Sequence, residues 1–242
     1  MERRGNGRMK NAPSRIRTIV QCVGVALLLL GAPGVVPAGQ LVGDTSPKLA
    51  GAALITELQK GGYVIYFRHG TTNEQGEKDV AGADLNDCTQ QRPLSPAGQA
   101  QTREIGAAVK ALRIPVGEVY SSPYCRTLDT ARNIFGKVTK SDFLHFAIHL
   151  RTTDRGSVTA KLLDHLATVP PQGTNTALVS HTANLQEAVG IWPKPEGVAH
   201  VFKPRGDGTF SYVGAIQPEA WMAEAKRSGQ ASAGWFDWLR GR

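Results

Sequence analysis

The chain has 242 residues and a formal net charge of +8, from 28 Lys and Arg against 20 Asp and Glu. The excess sits at the N-terminus: residues 1–38 hold six basic residues and one acid, so the remainder carries only +3. With no basic low-complexity tail, that remainder lacks the clustered Lys and Arg that counterion release requires, and no nucleic-acid partner is expected.

The first segments, MERRGNGRMKNAPSRIR, TIVQCVGVALLLL and GAPGVVPAGQ, follow the basic, apolar and small-residue order of a secretory signal. The apolar core, residues 19–30, is shorter than the roughly 20 residues of a membrane-crossing helix. Val36 and Ala38 suit the small-residue positions before a cut. The expected organisation is a signal peptide over 1–38, a linker over 39–50 and a single domain over 51–242. That makes the protein periplasmic or secreted, with no stable membrane association after cleavage; the alternative is an uncleaved inner-membrane anchor. Cys22 lies inside the apolar core, a poor place for a lipoprotein cysteine. After cleavage Cys88 and Cys125 remain, and an oxidising compartment favours one disulfide between them over two free thiols.

In chain order, AALITELQKGG reads as a short helix stopped by Gly61 and Gly62, and YVIYF as a strand buried on both faces. Residues 71–92 are polar and rich in turn formers, a long loop of the kind that usually has a function. LSPAGQAQTREIGAAVKALRI opens with Ser95 as N-cap and Pro96 at the first helical position, with Ile105, Val109 and Leu112 on one face. VGEVYSSP reads as a strand and YCRTLDTARNIFG as a helix ending at Gly136. In SDFLHFAIHL, Leu144, Phe146, Ile148 and Leu150 alternate with Phe143, His145, Ala147 and His149, which predicts a strand. SVTAKLLDHLATV reads as a helix, TNTALVSHT as a strand, ANLQEAVGIW as a helix, and VAHVFKPRGDGTFSYVGAIQP as a hairpin. The tail after Trp221 has two readings, a capping helix or a loosely held end. Alternation of strand and helix predicts an α/β domain of three layers, a largely parallel sheet flanked by helices.

Three strands end in polar residues and then turn: YVIYF into RHGTT, VYSSP into YCRTLDTA, and TALVS into HTANL. Ligands of open α/β sheets bind at the carboxyl ends of the strands. Arg68, His69, Arg126 and His181 are therefore expected to meet in one pocket. Two guanidinium groups fork onto tetrahedral anions such as phosphate, and two histidines offer a nucleophile and a further donor.

These segments resemble the histidine phosphatase superfamily, which shares its fold with cofactor-dependent phosphoglycerate mutases. FRHGTT is similar to the Arg-His-Gly signature, LSPAGQAQ to the Leu-Ser/Thr-x-x-Gly-x-x-Gln segment, SSPYCRTLDTA to the Ser-Ser-Pro-x-x-Arg-x-x-x-Thr-Ala segment, and LVSHTANL to the second-histidine strand. The resemblance implies a phosphomonoesterase acting on a small phosphorylated substrate. In it His69 forms a phosphohistidine, Arg68 and Arg126 bind phosphate oxygens, and His181 donates a hydrogen bond. A neutral His69 requires that its far ring nitrogen donate to a backbone carbonyl near Gly70. No metal or other cofactor is implied, because the arginines and histidine supply the charge stabilisation. The other readings are a phosphomutase, or a phosphate-ligand-binding envelope protein that keeps the fold without the reaction.

The proton donor to the leaving group is less defined. Where family members place aspartate directly after the second histidine, this chain has Thr182. Asp154 best matches the mutase-like position, although it also suits capping of the following helix. Glu74, Asp87 and Glu187 are the other candidates. Arg92 either reaches the substrate phosphate or is a surface residue before Pro93. A Cys88–Cys125 bridge would pin the long loop onto the helix carrying Arg126. Ser122 is expected to turn the strand and Asn184 to order its loop. His145 and His149, read on a strand, would sit about 13 Å apart, too far to share a metal. His165 and His200 read as surface or packing residues.

Overall fold

A computed structural model describes residues 45–73, 79, 80, 82 and 84–240, with side chains through 229. The expected signal peptide and most of the expected linker lie outside the described residues.

The sheet is laid down by β1 (Val64–Arg68), β2 (Val116–Ser121), β3 (Thr139–Lys140), β4 (Asn175–Ser180), β5 (Ala199–Pro204) and β6 (Phe210–Ile216). Its order is β3-β2-β4-β1-β5-β6, with the first four parallel and β5 and β6 added antiparallel as a hairpin. The helices are α1 (Gly51–Lys60), α2 (Pro96–Ala111), α3 (Cys125–Phe135), α4 (Thr152–Ala167), α5 (Thr182–Val189) and α6 (Pro218–Arg240). The α/β layered architecture is the one expected from the alternation of elements.

The continuous apolar run of β1 follows from burial on both faces. Ile65 and Phe67 join a core with Leu54 and Leu58 of α1, Ile105 of α2, Ile134 of α3 and Trp221 of α6. Val64 and Tyr66 join a second core with Leu162 and Leu166 of α4 and Leu185 of α5. Trp221, fully buried, stacks on Phe67 at 6.0 Å. The tail thus begins as a capping helix. At the other end, the N–H groups of Lys48 and Leu49 both donate to Val213 O, so the last residues expected as linker are held against β6.

Helix boundaries follow local chemistry. Ser95 Oγ accepts from Gly98 N at 3.0 Å, with Pro96 opening α2. Gly136 closes α3 in the left-handed conformation (φ 69°), which glycine adopts without steric penalty.

Residues 141–150 correct the sequence reading. The expected strand is limited to Thr139–Lys140 and is followed by two short 3₁₀ turns, Asp142–Leu144 and Ala147–His149. Only Leu144 and Ala147 are buried, a spacing of three rather than two. Side chains satisfy the backbone in place of a neighbouring strand. Ser180 Oγ donates to Leu144 O, Asn184 Nδ2 donates to His145 O, and Ala147 N donates to Asn184 Oδ1. Alternation of apolar residues marked a segment folded over the strand ends, where aromatic rings line a site instead of a sheet face.

His200 on β5 is buried, and burial alone depresses its pKa from 6.5 to about 4. Between those values the unfolded chain binds the extra proton, so stability rises with pH and is lost as pH falls from 6.5 through 4. His200→Gln is expected to remove up to about 3 kcal/mol of that acid sensitivity. Urea titrations at pH 7 and pH 4.5 check this; equal pH dependence in variant and parent would reject it.

Candidate active site

β1, β4 and β2 are neighbours, and their carboxyl ends are in register: Arg68 pairs with Ser180, and Ser121 with Val179. The backbone continues this register beyond the strands, His69 N donating to Ser180 O and Ser122 N to Val179 O. His69, Ser122 and His181 therefore leave the sheet side by side. Arg126 enters from the first turn of α3.

The family-like segments hold this geometry in distinct ways. Gly98 lets Thr71 approach the start of α2, since a Cβ there would meet Thr71 O at 1.9 Å. Ser95 N donates to Thr71 O, and Thr71 N to Gln101 Oε1 at 3.0 Å. LSPAGQAQ is thus a clamp on the chain after His69. Thr130 acts from α3, accepting from Gly70 N at 2.9 Å while its own hydroxyl donates to Arg126 O.

His69 is 2% exposed, and its Nδ1 lies 2.9 Å from Gly70 O. A carbonyl oxygen only accepts, so Nδ1 carries the proton and the Nε2 lone pair is free for attack. Burial first, then the charges of Arg126, Arg68 and Arg92, hold His69 well below its usual pKa. Arg92 N donates at 3.0 Å to Asp79 Oδ1, the oxygen that also accepts from Arg126, which sets the Arg92 backbone beside the site.

His181 is fully buried, its ring centroid 5.5 Å from that of His69 and stacked on Phe146 at 4.4 Å. Its Nε2 is 2.8 Å from Ser122 Oγ, and its Nδ1 is 3.5 Å from an Arg126 Nη. Ser122 therefore engages the second histidine directly, beyond turning the strand. Tyr66 Oη donates to His181 O at 2.6 Å. Burial and the Arg126 charge keep His181 neutral to well below pH 6.5.

Arg126 is fully buried, its guanidinium 4.8 Å from the Tyr124 ring and 5.6 Å from that of Phe146. Its Nε has no hydrogen-bond partner among the described residues. Two carboxylates that the sequence did not suggest meet the arginines. Asp79 Oδ1 accepts from Arg126 at 2.7 Å, and Glu196 Oε1 from Arg68 at 2.9 Å. Glu196 also accepts from Thr72 N and lies 3.9 Å from His69 Nδ1. A carboxylate between Pro195 and Gly197, just before β5, was the available signal for Glu196; Asp79 had none beyond its long loop.

Asp154 is not brought to this group. Helix α4 begins at Thr152, and Asp154 in its first turn is 42% exposed, bonded to Arg151 Nε at 2.9 Å. Asp87 caps a 3₁₀ turn, accepting from Thr89 N, and Glu187 pairs with Arg155 at 3.8 Å. Glu74 lies outside the described residues.

Cys88 and Cys125 form a disulfide with Cα atoms 5.7 Å apart, tying the long loop to the first residue of α3. Gln91 Oε1 reinforces the tie by accepting from Cys125 N. His145 and His149 approach Tyr124 from the 3₁₀ turns, with His149 Nδ1 2.7 Å from Tyr124 Oη. His165 stacks on Phe143 at 3.8 Å. Among the described residues no cluster of three or more His, Cys, Asp or Glu side chains is arranged to hold a metal ion.

The histidine phosphatase superfamily (branch 1) profile matches residues 64–146, a span that includes Arg68, His69, Arg92 and Arg126. Over that span the chain is similar to this superfamily. Similar solved structures include the protein histidine phosphatase SixA complexed with tungstate, at 17% identity and TM-score 0.47, covering 64% of this chain and 97% of that one. A phosphoserine phosphatase from Entamoeba histolytica with phosphoserine has 16% identity and TM-score 0.45, covering 65% and 98%. The alpha-ribazole phosphatase from Shigella flexneri has 14% identity and TM-score 0.46, covering 64% and 96%. Among curated proteins no sequence match emerges. His181 lies beyond the matched span and joins the others through the pairing of β1 with β4.

Proposed function

We propose that this protein is an exported, metal-independent phosphomonoesterase working through a phosphohistidine on His69. The observation that carries the reading is the buried, neutral His69, its Nδ1 tied to Gly70 O and its Nε2 free, beside His181 and two arginines. Nε2 attacks phosphorus as the ester oxygen departs, and water then attacks the phosphohistidine to release phosphate. Arg68 and Arg126 hold the non-bridging oxygens, which gain charge stabilisation without a metal. An Arg126 Nη only donates, so His181 accepts at Nδ1 and carries its proton on Nε2, donated to Ser122 Oγ; His181 thereby steadies the Arg126 guanidinium beside the phosphoryl group. Arg92 adds positive charge at the rim.

Trapping tests this directly. Rapid mixing with ³²P-labelled phosphoester in excess chelator, followed by an alkaline quench, is expected to yield an acid-labile, alkali-stable phosphoprotein whose label maps to His69. Turnover without such a species, or label on a hydroxyl residue, would sink the reading.

A further inference from the structure

The acid that protonates the leaving oxygen must touch both the phosphoryl site and the space where the leaving group sits. Asp79 is placed at that seam. Among the described residues its Oδ1 takes both hydrogen bonds, from Arg126 at 2.7 Å and from Arg92 N at 3.0 Å, and Oδ2 takes neither. The same residue lines a cavity of about 450 Å³ with Val80, Leu85, Tyr124, Ile148 and His149. The loop is fixed there by Val80 N donating to Gln90 O, by the Gln91 contact with Cys125 N, and by the disulfide. The other carboxylate of the site, Glu196, is committed to Thr72 and Arg68.

We propose that Asp79 is the catalytic acid of this phosphatase, exchanging its ion pair with Arg126 for a proton as the phosphoester binds, and that the adjoining cavity receives the leaving group. The proposal rests on the phosphohistidine reading above. Burial works to raise the Asp79 carboxyl, but the Arg126 charge and hydrogen bond outweigh it and hold the group below the usual carboxylate range. Asp79 is therefore ionised before substrate arrives, facing Arg126 and Tyr124 at α3, the Arg92 backbone in its own loop, and His149 from the 3₁₀ turn. A phosphomonoester monoanion brings the proton. As its oxygens take over Arg126, the proton passes to Asp79 and the ester becomes the dianion. His69 Nε2 then bonds to phosphorus, the bridging P–O electron pair goes to the leaving oxygen, and Asp79 Oδ2 delivers the proton to that oxygen. In the second half, Asp79 takes a proton from the attacking water as the P–N bond breaks, and phosphate leaves with it.

The mixed lining, with Val80, Leu85 and Ile148 beside Tyr124 and His149, suits an alcohol that presents both an apolar face and hydroxyl groups. Such an alcohol is a poor leaving group, for which protonation matters most.

The test is a leaving-group series. In the parent enzyme, single-turnover phosphorylation of His69 is expected to vary little between p-nitrophenyl phosphate and glycerol 2-phosphate. In Asp79→Asn the alkyl ester is expected to slow by about 10²- to 10³-fold and the aryl ester by less than about tenfold. Inhibition by inorganic phosphate is expected to be as strong or stronger in the variant, since a competitor for Arg126 has lost its charge. Equal loss with both esters, equal gain with both, or phosphate binding weakened more than tenfold would overturn the proposal. So would a steep leaving-group dependence in the parent enzyme, a measurement that needs no variant. Absence of any phosphoenzyme in the parent would instead mark failure of the phosphohistidine reading itself.

Discussion

Replacing His69 with alanine is expected to lower kcat for phosphomonoesters by on the order of 10⁴-fold or more, while inorganic phosphate still binds within about tenfold of the parent affinity. In the proposed reaction the imidazole supplies the bond-forming electron pair, and its described neighbours are otherwise engaged: the Nη groups of Arg68 and Arg126 are donors, Asp79 and Glu196 are paired with them, and His181 is tied to Ser122. Residual rate would come from water attacking a phosphoryl group still held by those donors. Phosphate affinity survives because the two guanidinium groups, not His69, supply the positive charge. Steady-state rates and phosphate inhibition constants check both halves. Activity within tenfold of the parent would end the phosphohistidine proposal, and loss of phosphate affinity along with activity would point to a collapsed site. The pH profile adds a sign. His69 is held well below pH 6.5 by burial and three arginines, so the nucleophile stays neutral as the pH drops through 6.5. The fall of kcat/KM on the acid side is therefore expected to begin below that value.

Reducing the Cys88–Cys125 bridge, or replacing Cys88 with serine, is expected to have the largest effect on stability. The bridge closes a loop with a sequence separation of 37 residues, and the chain-entropy treatment gives such a loop about 3–4 kcal/mol. For a domain of this size that corresponds to a fall in melting temperature of roughly 10 °C. Calorimetry with and without dithiothreitol measures it, and unchanged midpoints would remove the bridge from any role in stability. Activity is expected to respond selectively. The bridge holds the loop carrying Asp79 and Gln91 against α3, whereas His69 and His181 are held by strand pairing on β1 and β4. Turnover of alkyl phosphates should fall more than binding of inorganic phosphate.

Both expectations contrast groups placed by regular structure with groups placed by a loop, and the same contrast separates what could be read from the chain. Arg68, His69, Arg126 and His181 were legible because each lies at or just beyond the end of a strand, and strand ends in a parallel sheet converge. Period, breaker residues and caps are local signals, which is why β1, α2, α3, β4 and the β5–β6 hairpin fall where the residues indicate. The stretch 141–150 has the strand period without a strand partner. Its alternation reflects aromatic and imidazole side chains packed over Tyr124 and His181, a pattern that periodicity alone reads as a sheet face.

The sequence by itself determined the layered α/β class and the meeting of His69 with the two arginines, because those depend on hydrophobic period and on residue chemistry at strand ends. Only the tertiary structure decided which carboxylates reach the arginines. Asp79 and Glu196 arrive from loops whose paths are set by a disulfide, by hydrogen bonds to Thr72 and Cys125, and by a strand paired across the sheet. Asp154 stays in the first turn of α4, where it pairs on the surface with Arg151 three residues away.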